Sequence, residues 1–201
     1  MKTAFCFDLD GTVTKQEILP LISKEVELHE EISLLTQLTL DGLIAFQTSF
    51  KLRVKLLSTI PISKVAEVVD KVILDENIVK FIHENKENCF IVTGNLDVWV
   101  KNIIETKLQC KFYSSVAEFQ GDQLTGITKV LDKAHAIKEI RKDYDRIIAI
   151  GDSMNDCSMF QKADIGIAYG GTHNPVNSLV KLSNFVTFDA QSLTRTLQNY
   201  K

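Results

Sequence analysis

The chain has 201 residues, 45% of them apolar and 24% charged, with a formal net charge of −3. That length suits one substantial domain, or a core domain carrying a small insert, and the composition is ordinary for a globular protein. The slight negative charge gives no electrostatic pull toward nucleic acid or an anionic membrane, and no apolar run approaches the roughly 20 residues of a membrane-spanning helix, so neither partner is expected.

The first element in chain order is a buried strand over Ala4–Phe7. Its apolar stretch is too short for the hydrophobic region of a signal peptide. Cys6 here and Cys89 in the next strand suit buried thiols; with Cys110 and Cys157 they make no C-x-x-C pair, so zinc is not expected and a reducing cytoplasm is. The strand runs into Asp8-Leu9-Asp10-Gly11-Thr12, two carboxylates followed by a glycine that permits a tight turn.

From about Lys15 to Asp75 no convincing strand occurs. Apolar spacing predicts helices over Ile18–Leu28, Glu30–Leu38, Ile44–Leu57 and Ser63–Ile73, the last with Ser63 as N-cap and Glu67 one turn on. Some sixty residues is too long for an ordinary crossover, and reads as a small cap over the C-terminal edge of a sheet. Strands then follow at Cys89–Val92, Lys111–Ser114, Arg146–Ile150 and Asp164–Ala168, with helices over Leu96–Leu108 and Ala134–Lys142. A small hairpin is expected between Ser115 and Val130, and an edge strand over Asn184–Phe188. Pro20, Pro61 and Pro175 each stand where a helix could begin. The fold expected is α/β: a doubly wound, Rossmann-like parallel sheet from residues 1–14 and 76–201, with an all-helical cap, 15–75, inserted after the first strand.

A second acidic group, Gly151-Asp152-Ser153-Met154-Asn155-Asp156, follows the strand Arg146–Ile150. Alone, Asp8 and Asp10 could merely end a strand, and Asp152 and Asp156 could merely serve a helix start. Brought together at the switch point of a doubly wound sheet, these carboxylates would repel unless a cation sat among them, and all-oxygen donors suit Mg2+ beside a phosphate. Thr93-Gly94-Asn95 ends the second strand, and its hydroxyl and N–H groups suit phosphate oxygens, though a helix N-cap is the plainer use of Thr93. Lys133 opens a helix, where a cation is unfavourable unless something anionic faces it; otherwise it is a solvated lysine. His29, His83, His135 and His173 share no spacing, and Trp99 reads as core.

With these four pieces in this order, the chain resembles the haloacid dehalogenase superfamily of phosphohydrolases. The resemblance implies Asp8 as a nucleophile forming an aspartyl-phosphate and Asp10 as general acid and base. It implies Mg2+ held by Asp8, the Asp10 carbonyl and Asp152, with Asp156 supporting a bound water or orienting Lys133. Gly11, Thr93, Gly94 and Lys133 would hold the phosphate. The insert resembles the type-one cap of the phosphoserine-phosphatase-like branch, which places Glu17 near a substrate amine, Phe46 as its aromatic and Arg53 on a carboxylate; Asn95 and Asn155 are further substrate-contact candidates. The chain departs from that branch in having Asn95 for a glycine, Ser153-Met154 for glycine-alanine, and Leu40 for a methionine. The function implied is Mg2+-dependent hydrolysis of a small phosphorylated metabolite, phosphoserine or a similar amino-acid or amino-alcohol phosphate. A receiver-like phospho-acceptor, a phosphotransferase with the same core, and a non-catalytic binding relative are the alternatives; receivers lack the insert.

Overall fold

The structure, a computed structural model, describes residues 1–201. Strands β1 (Thr3–Phe7), β2 (Cys89–Leu96), β3 (Lys111–Gln120), β4 (Gln123–Lys129), β5 (Arg146–Gly151), β6 (Ile165–Tyr169) and β7 (Phe185–Thr187) form one sheet in the order β4-β3-β2-β1-β5-β6-β7. All pairings are parallel except β3–β4. The central strand is buried throughout, and apolar from Ala4 to Phe7, because both faces are covered. Phe5 and Phe7 belong to one apolar cluster and Ala4 and Cys6 to the other, the period-two alternation of a strand dividing two layers.

From β1 the chain winds one way to β2 and β3 and the other way to β5, β6 and β7. The switch point lies between β1 and β5, where Phe7 pairs with Ile150. One residue further, the Asp8 N–H donates to the Ile150 carbonyl at 2.9 Å, so the two acidic segments leave the sheet side by side.

Between β1 and Asp75 lie helices α1 (Ile18–Ile22), α2 (His29–Leu40), α3 (Phe46–Leu57) and α4 (Ile62–Val69). The remainder carries α5 (Glu76–Glu84), α6 (Asp97–Ile103), α7 (Lys133–Ile140), α8 (Cys157–Phe160), α9 (Asn177–Val180) and α10 (Ala190–Gln198). The chain segments entering and leaving the helical insert are tied: Lys15 N–H donates to the Ile73 carbonyl and Asp75 N–H to that of Val13, both at 2.9 Å. Ile22, Ile32, Phe50, Val54, Val65 and Val69 of the insert share an apolar cluster with Phe5, Phe7 and Trp99. No helix is long and apolar enough to cross a membrane.

Several elements differ from expectation. The first insert helix stops at Ile22 and tightens to a 3₁₀ turn over Ser23–Val26, with the Ser23 hydroxyl donating back to the Pro20 carbonyl at 2.7 Å and Glu27 left-handed at φ 55°. Helix α6 ends at Ile103, widens to a π turn through Leu108 and closes on Gln109 at φ 54°. The expected third strand and hairpin are continuous, because β3 runs unbroken from Lys111 to Gln120. Helix α5, which the periodicity did not single out, opens at Asp75, whose carboxylate accepts from the N–H groups of Asn77 and Ile78.

Ser63 is not the cap of α4. The helix begins one residue earlier, and Ser63 donates its N–H (2.8 Å) and hydroxyl (2.6 Å) to the Asp122 carboxylate, while Ile62 N–H reaches the Asp122 carbonyl at 2.9 Å. Asp122 sits at the tip of the β3–β4 hairpin, so the sheet itself caps a helix of the insert. Gln123 beside it donates to the Ser58 carbonyl. At the other end of α4, Asp70 accepts from the Asn102 amide at 2.6 and 2.8 Å, and its carbonyl accepts from Lys107.

Candidate active site

The turn after β1 places Asp8 and Asp10 in extended backbone and Gly11 at φ 69°. A side chain on Gly11 would be strained in that conformation, and its Cβ would lie 3.1 Å from each of Asp152 Oδ2, Glu17 Oε1 and His173 Nε2. Thr12 Oγ1 donates to Asp152 Oδ1 at 2.7 Å, joining the turn after β1 to that after β5. There, Asp156 Oδ2 accepts from the N–H groups of Asp152 and Ser153, both at 3.0 Å, in a capping box with Ser153.

Lys133, in the first turn of α7, bridges these turns from below. Its Nζ lies 2.5 Å from Asp8 Oδ1 and 2.6 Å from Asp156 Oδ1. All three side chains are buried, Lys133 to 1% exposure. Burial works against its charge, but the two carboxylates more than offset it and hold the ammonium above its ordinary range. The anion that justifies a lysine in a first helical turn is therefore this carboxylate pair. Burial pushes Asp8 well above the usual carboxylate range; Lys133 opposes that, while Asp156, Asp152 and Asp10 reinforce it.

The β2–β3 register shifts between Val92 and Leu96, so Thr93-Gly94-Asn95 forms a bulge. The Gly94 carbonyl is held by the Ser115 hydroxyl at 2.7 Å, and Thr93 Oγ1 accepts from the Asn95 N–H at 3.2 Å. Thr93 is fully buried and does not line the cavity. Asn95 Nδ2 donates to Asp10 Oδ2 at 2.5 Å, and the Ile18 N–H donates to Asp10 Oδ1 at 2.9 Å. Burial, then the neighbouring Glu17 charge, pushes Asp10 up to about 7, with the Ile18 hydrogen bond opposing.

Helices of the insert roof a cavity whose floor is this cluster. Asp8, Asp10, Glu17, Phe46, Arg53, Gly94, Asn95, Asp152 and Asn155 line it, with Leu19, Thr36, Thr39, Leu40, Phe50 and Ser153. Gly11, Lys133 and Asp156 stand behind that lining. Phe46 stacks on Phe50 (centroids 5.4 Å, planes 11° apart) and presses on Gly94, where a Cβ would meet Phe46 Cζ at 2.3 Å. Arg53, rather than a solvated helix charge, is 5% exposed, donates Nη1 to Thr36 Oγ1 at 2.9 Å, and is lowered from its ordinary pKa by burial.

A model of the haloacid dehalogenase-like hydrolase family matches residues 5–161. The chain belongs to this family. This haloacid dehalogenase-like hydrolase is a phosphatase, similar in sequence to the phosphoserine phosphatases of Methanocaldococcus jannaschii (29% identical over 182 residues, 84% of this chain and 85% of the relative) and Homo sapiens (23% over 198 residues, 89% and 85%). Two solved structures superpose on nearly its whole length at 25% identity. One is a phospho-aspartyl intermediate analogue of phosphoserine phosphatase (TM-score 0.83, 97% and 98% covered), the other a substrate-bound phosphoserine phosphatase complex (TM-score 0.84, 97% of each).

The hydrolase's acidic cluster suits a hard divalent cation. Ligand oxygens of Asp8, Asp152 and Asp156 lie within 4.8 Å of one another, all from buried side chains. The donors are oxygens, the chemistry of Mg2+ rather than of softer ions. Burial raises Asp152 to about 6, a cost a nearby cation would reverse.

One residue was missed by sequence reasoning. His173 Nε2 lies 2.8 Å from Asp152 Oδ2 and 3.6 Å from Glu17 Oε1, an ion-pair spacing to both carboxylates. Asp152 and then Glu17 push the imidazole up to about 11. Its available signal was position: it follows β6 at the edge of the sheet where Asp8 and Asp152 end their strands.

Proposed function

We propose that this hydrolase dephosphorylates phosphoserine or an amino-acid or amino-alcohol phosphate of similar size, through an aspartyl-phosphate on Asp8 with Mg2+ in the acidic cluster. The observation that carries this reading is the pairing of Glu17 and buried Arg53 in one cavity over Asp8, an acceptor for an ammonium and a donor for a carboxylate. The similarity to proteins named phosphoserine phosphatases supports it. Residues 15–75 would act as a cap domain on a catalytic core of 1–14 and 76–201, in a reducing, cytoplasmic setting consistent with four free cysteines.

In this mechanism Asp8 attacks phosphorus as the ester P–O bond breaks, and Asp10 passes its proton to the departing alkoxide. Asp10 then takes a proton from water as that water attacks phosphorus and the bond to Asp8 breaks, releasing inorganic phosphate. An Asp10 held near 7 is matched to both tasks. Lys133, Gly94 and the N–H groups near Gly11 stabilise the phosphoryl oxygens, with Thr93 behind them bracing the Asn95 N–H. Asp8, the Asp10 carbonyl and Asp152 hold Mg2+, with Asp156 fixing Lys133 and the Asp152 backbone. When bound, Mg2+ supplies charge to the phosphoryl oxygens and keeps Asp8 ionised. Phe46 and Asn155 shape the cavity.

The test is a screen of small phosphorylated metabolites with Mg2+, using Asp8→Asn as the blank. Phosphoserine or phosphoethanolamine is expected to lead, with no turnover by the blank. Preference for sugar phosphates would remove the substrate reading, and turnover by Asp8→Asn would remove the mechanism.

A further inference from the structure

Asp10 has two carboxylate oxygens, and each is held by a different element. Oδ1 accepts the Ile18 N–H from the first turn of α1; Oδ2 accepts the Asn95 amide from the β2 bulge. Asn95 is 4% exposed, so its amide is largely screened from bulk water. The bulge is itself fixed, since Ser115 Oγ donates to the Gly94 carbonyl and accepts from the Leu131 N–H at 3.0 Å. The β2–β3 register shifts over this stretch, and within it the Asn95 amide reaches Asp10. A glycine at position 95 offers no such donor. With only the Ile18 bond left, the Asp10 carboxyl would be free to turn about its terminal torsion, which is broad for aspartate.

We infer that Asn95 is a positioning residue, clamping the Asp10 carboxyl against rotation so that it faces the oxygen of the departing alcohol. This rests on the acid–base role proposed for Asp10. Asn95 touches neither phosphorus nor the leaving oxygen in this role; its effect passes through Asp10. It matters in proportion to how much the leaving group needs a proton. An alkoxide needs one, whereas 4-nitrophenolate departs unaided.

The experiment compares kcat/KM for phosphoserine and for 4-nitrophenyl phosphate, in native enzyme, Asn95→Ala and Asp10→Asn. Using kcat/KM confines the readout to the steps through expulsion of the alcohol, because hydrolysis of the aspartyl-phosphate comes after that irreversible loss. General acid catalysis is worth about 10²–10⁴-fold, so loosening the acid should cost phosphoserine about 10- to 100-fold and 4-nitrophenyl phosphate less than about threefold. Asp10→Asn should show the same selectivity more strongly. Thermal melting checks folding, and Asn95→Ser, too short to reach Asp10, replaces Asn95→Ala if that variant does not fold. Equal losses on the two substrates, or none on either, in an Asn95 variant while Asp10→Asn stays selective would overturn the inference alone. If Asp10→Asn itself lost both substrates equally, the acid–base reading of Asp10 would fall and the inference with it.

Discussion

Replacing Lys133 by methionine keeps most of the side-chain volume and removes the charge between Asp8 and Asp156. Both carboxylates are nearly or wholly buried and each gives one oxygen to Nζ at 2.5–2.6 Å. Removing one partner from a buried charge group costs about 3–5 kcal/mol, because the remaining charges are stranded. For a chain of this size about 1 kcal/mol shifts Tm by roughly 2–4 °C, so Tm should fall by roughly 6–20 °C. The loss should depend on pH in a defined direction. A carboxyl whose folded pKa is raised binds its proton more tightly when folded, so its destabilising effect vanishes below the unfolded pKa and grows as pH rises toward the folded value. Asp8 is already of this kind, and more so without Lys133. Melting followed from pH 8 to pH 4 should therefore show the gap between variant and native protein closing on the acid side. Added Mg2+ should raise the variant's Tm more than the native protein's, since it replaces missing positive charge. A gap under about 2 °C at pH 7, by the same scaling, or a gap that widens toward acid, would refute the electrostatic account of this triad.

On the proposed role of Arg53, Arg53→Ala would remove hydrogen bonds from a cation to the substrate carboxylate, worth about 1.5–3 kcal/mol, and should raise KM roughly 10- to 100-fold for carboxylate-bearing phosphoesters while sparing phosphoethanolamine; an equal effect on both would take Arg53 out of substrate recognition. Gly94→Ala drives a Cβ into Phe46, an overpacking cost of about 1–3 kcal/mol. Phe46→Ala in the same chain should recover part of the melting loss, and strict additivity of the two changes would show that they do not touch. Asp122 is held below the usual carboxylate range by the Ser63 hydroxyl and N–H. Its contribution is therefore complete above the unfolded pKa and lost as pH falls through the lowered folded value. Asp122→Ala should speed hydrogen exchange at Ser63, whose N–H the carboxylate accepts, near neutrality and make little difference in strong acid.

Much of this architecture is legible in residue order, and the reasons for the exceptions are physical. Parallel strands buried on both faces announce themselves as short apolar runs, and β1, β2 and β5 carry their acids or Thr-Gly-Asn directly after such runs. The acidic clusters are visible because a carboxylate after a buried strand is conspicuous. What stays hidden depends on distant partners. Ser63 looks like an N-cap by local chemistry, yet Asp122, 59 residues away, performs that task. Lys133 looks misplaced until Asp8 and Asp156 are beside it. Arg53 and Glu17 are charged helix or loop residues in the sequence; only packing shows one to be buried and the other to face the cavity. His173 carries no spacing signal because its contacts are to residues 17 and 152, on two other segments.

Helix α4 is pinned at both ends, by Asp122 at its start and by Asn102 and Lys107 at Asp70. Thr36, Leu40, Phe46 and Arg53, which line the cavity, all belong to α2 and α3 instead. The insert is thus divided into a fixed footing and an interchangeable roof. A lineage, or an engineer, wishing to change which phosphoester is accepted has α2, α3 and the Glu17–Leu19 stretch to rewrite, with α4 and the acidic cluster beneath left as they are.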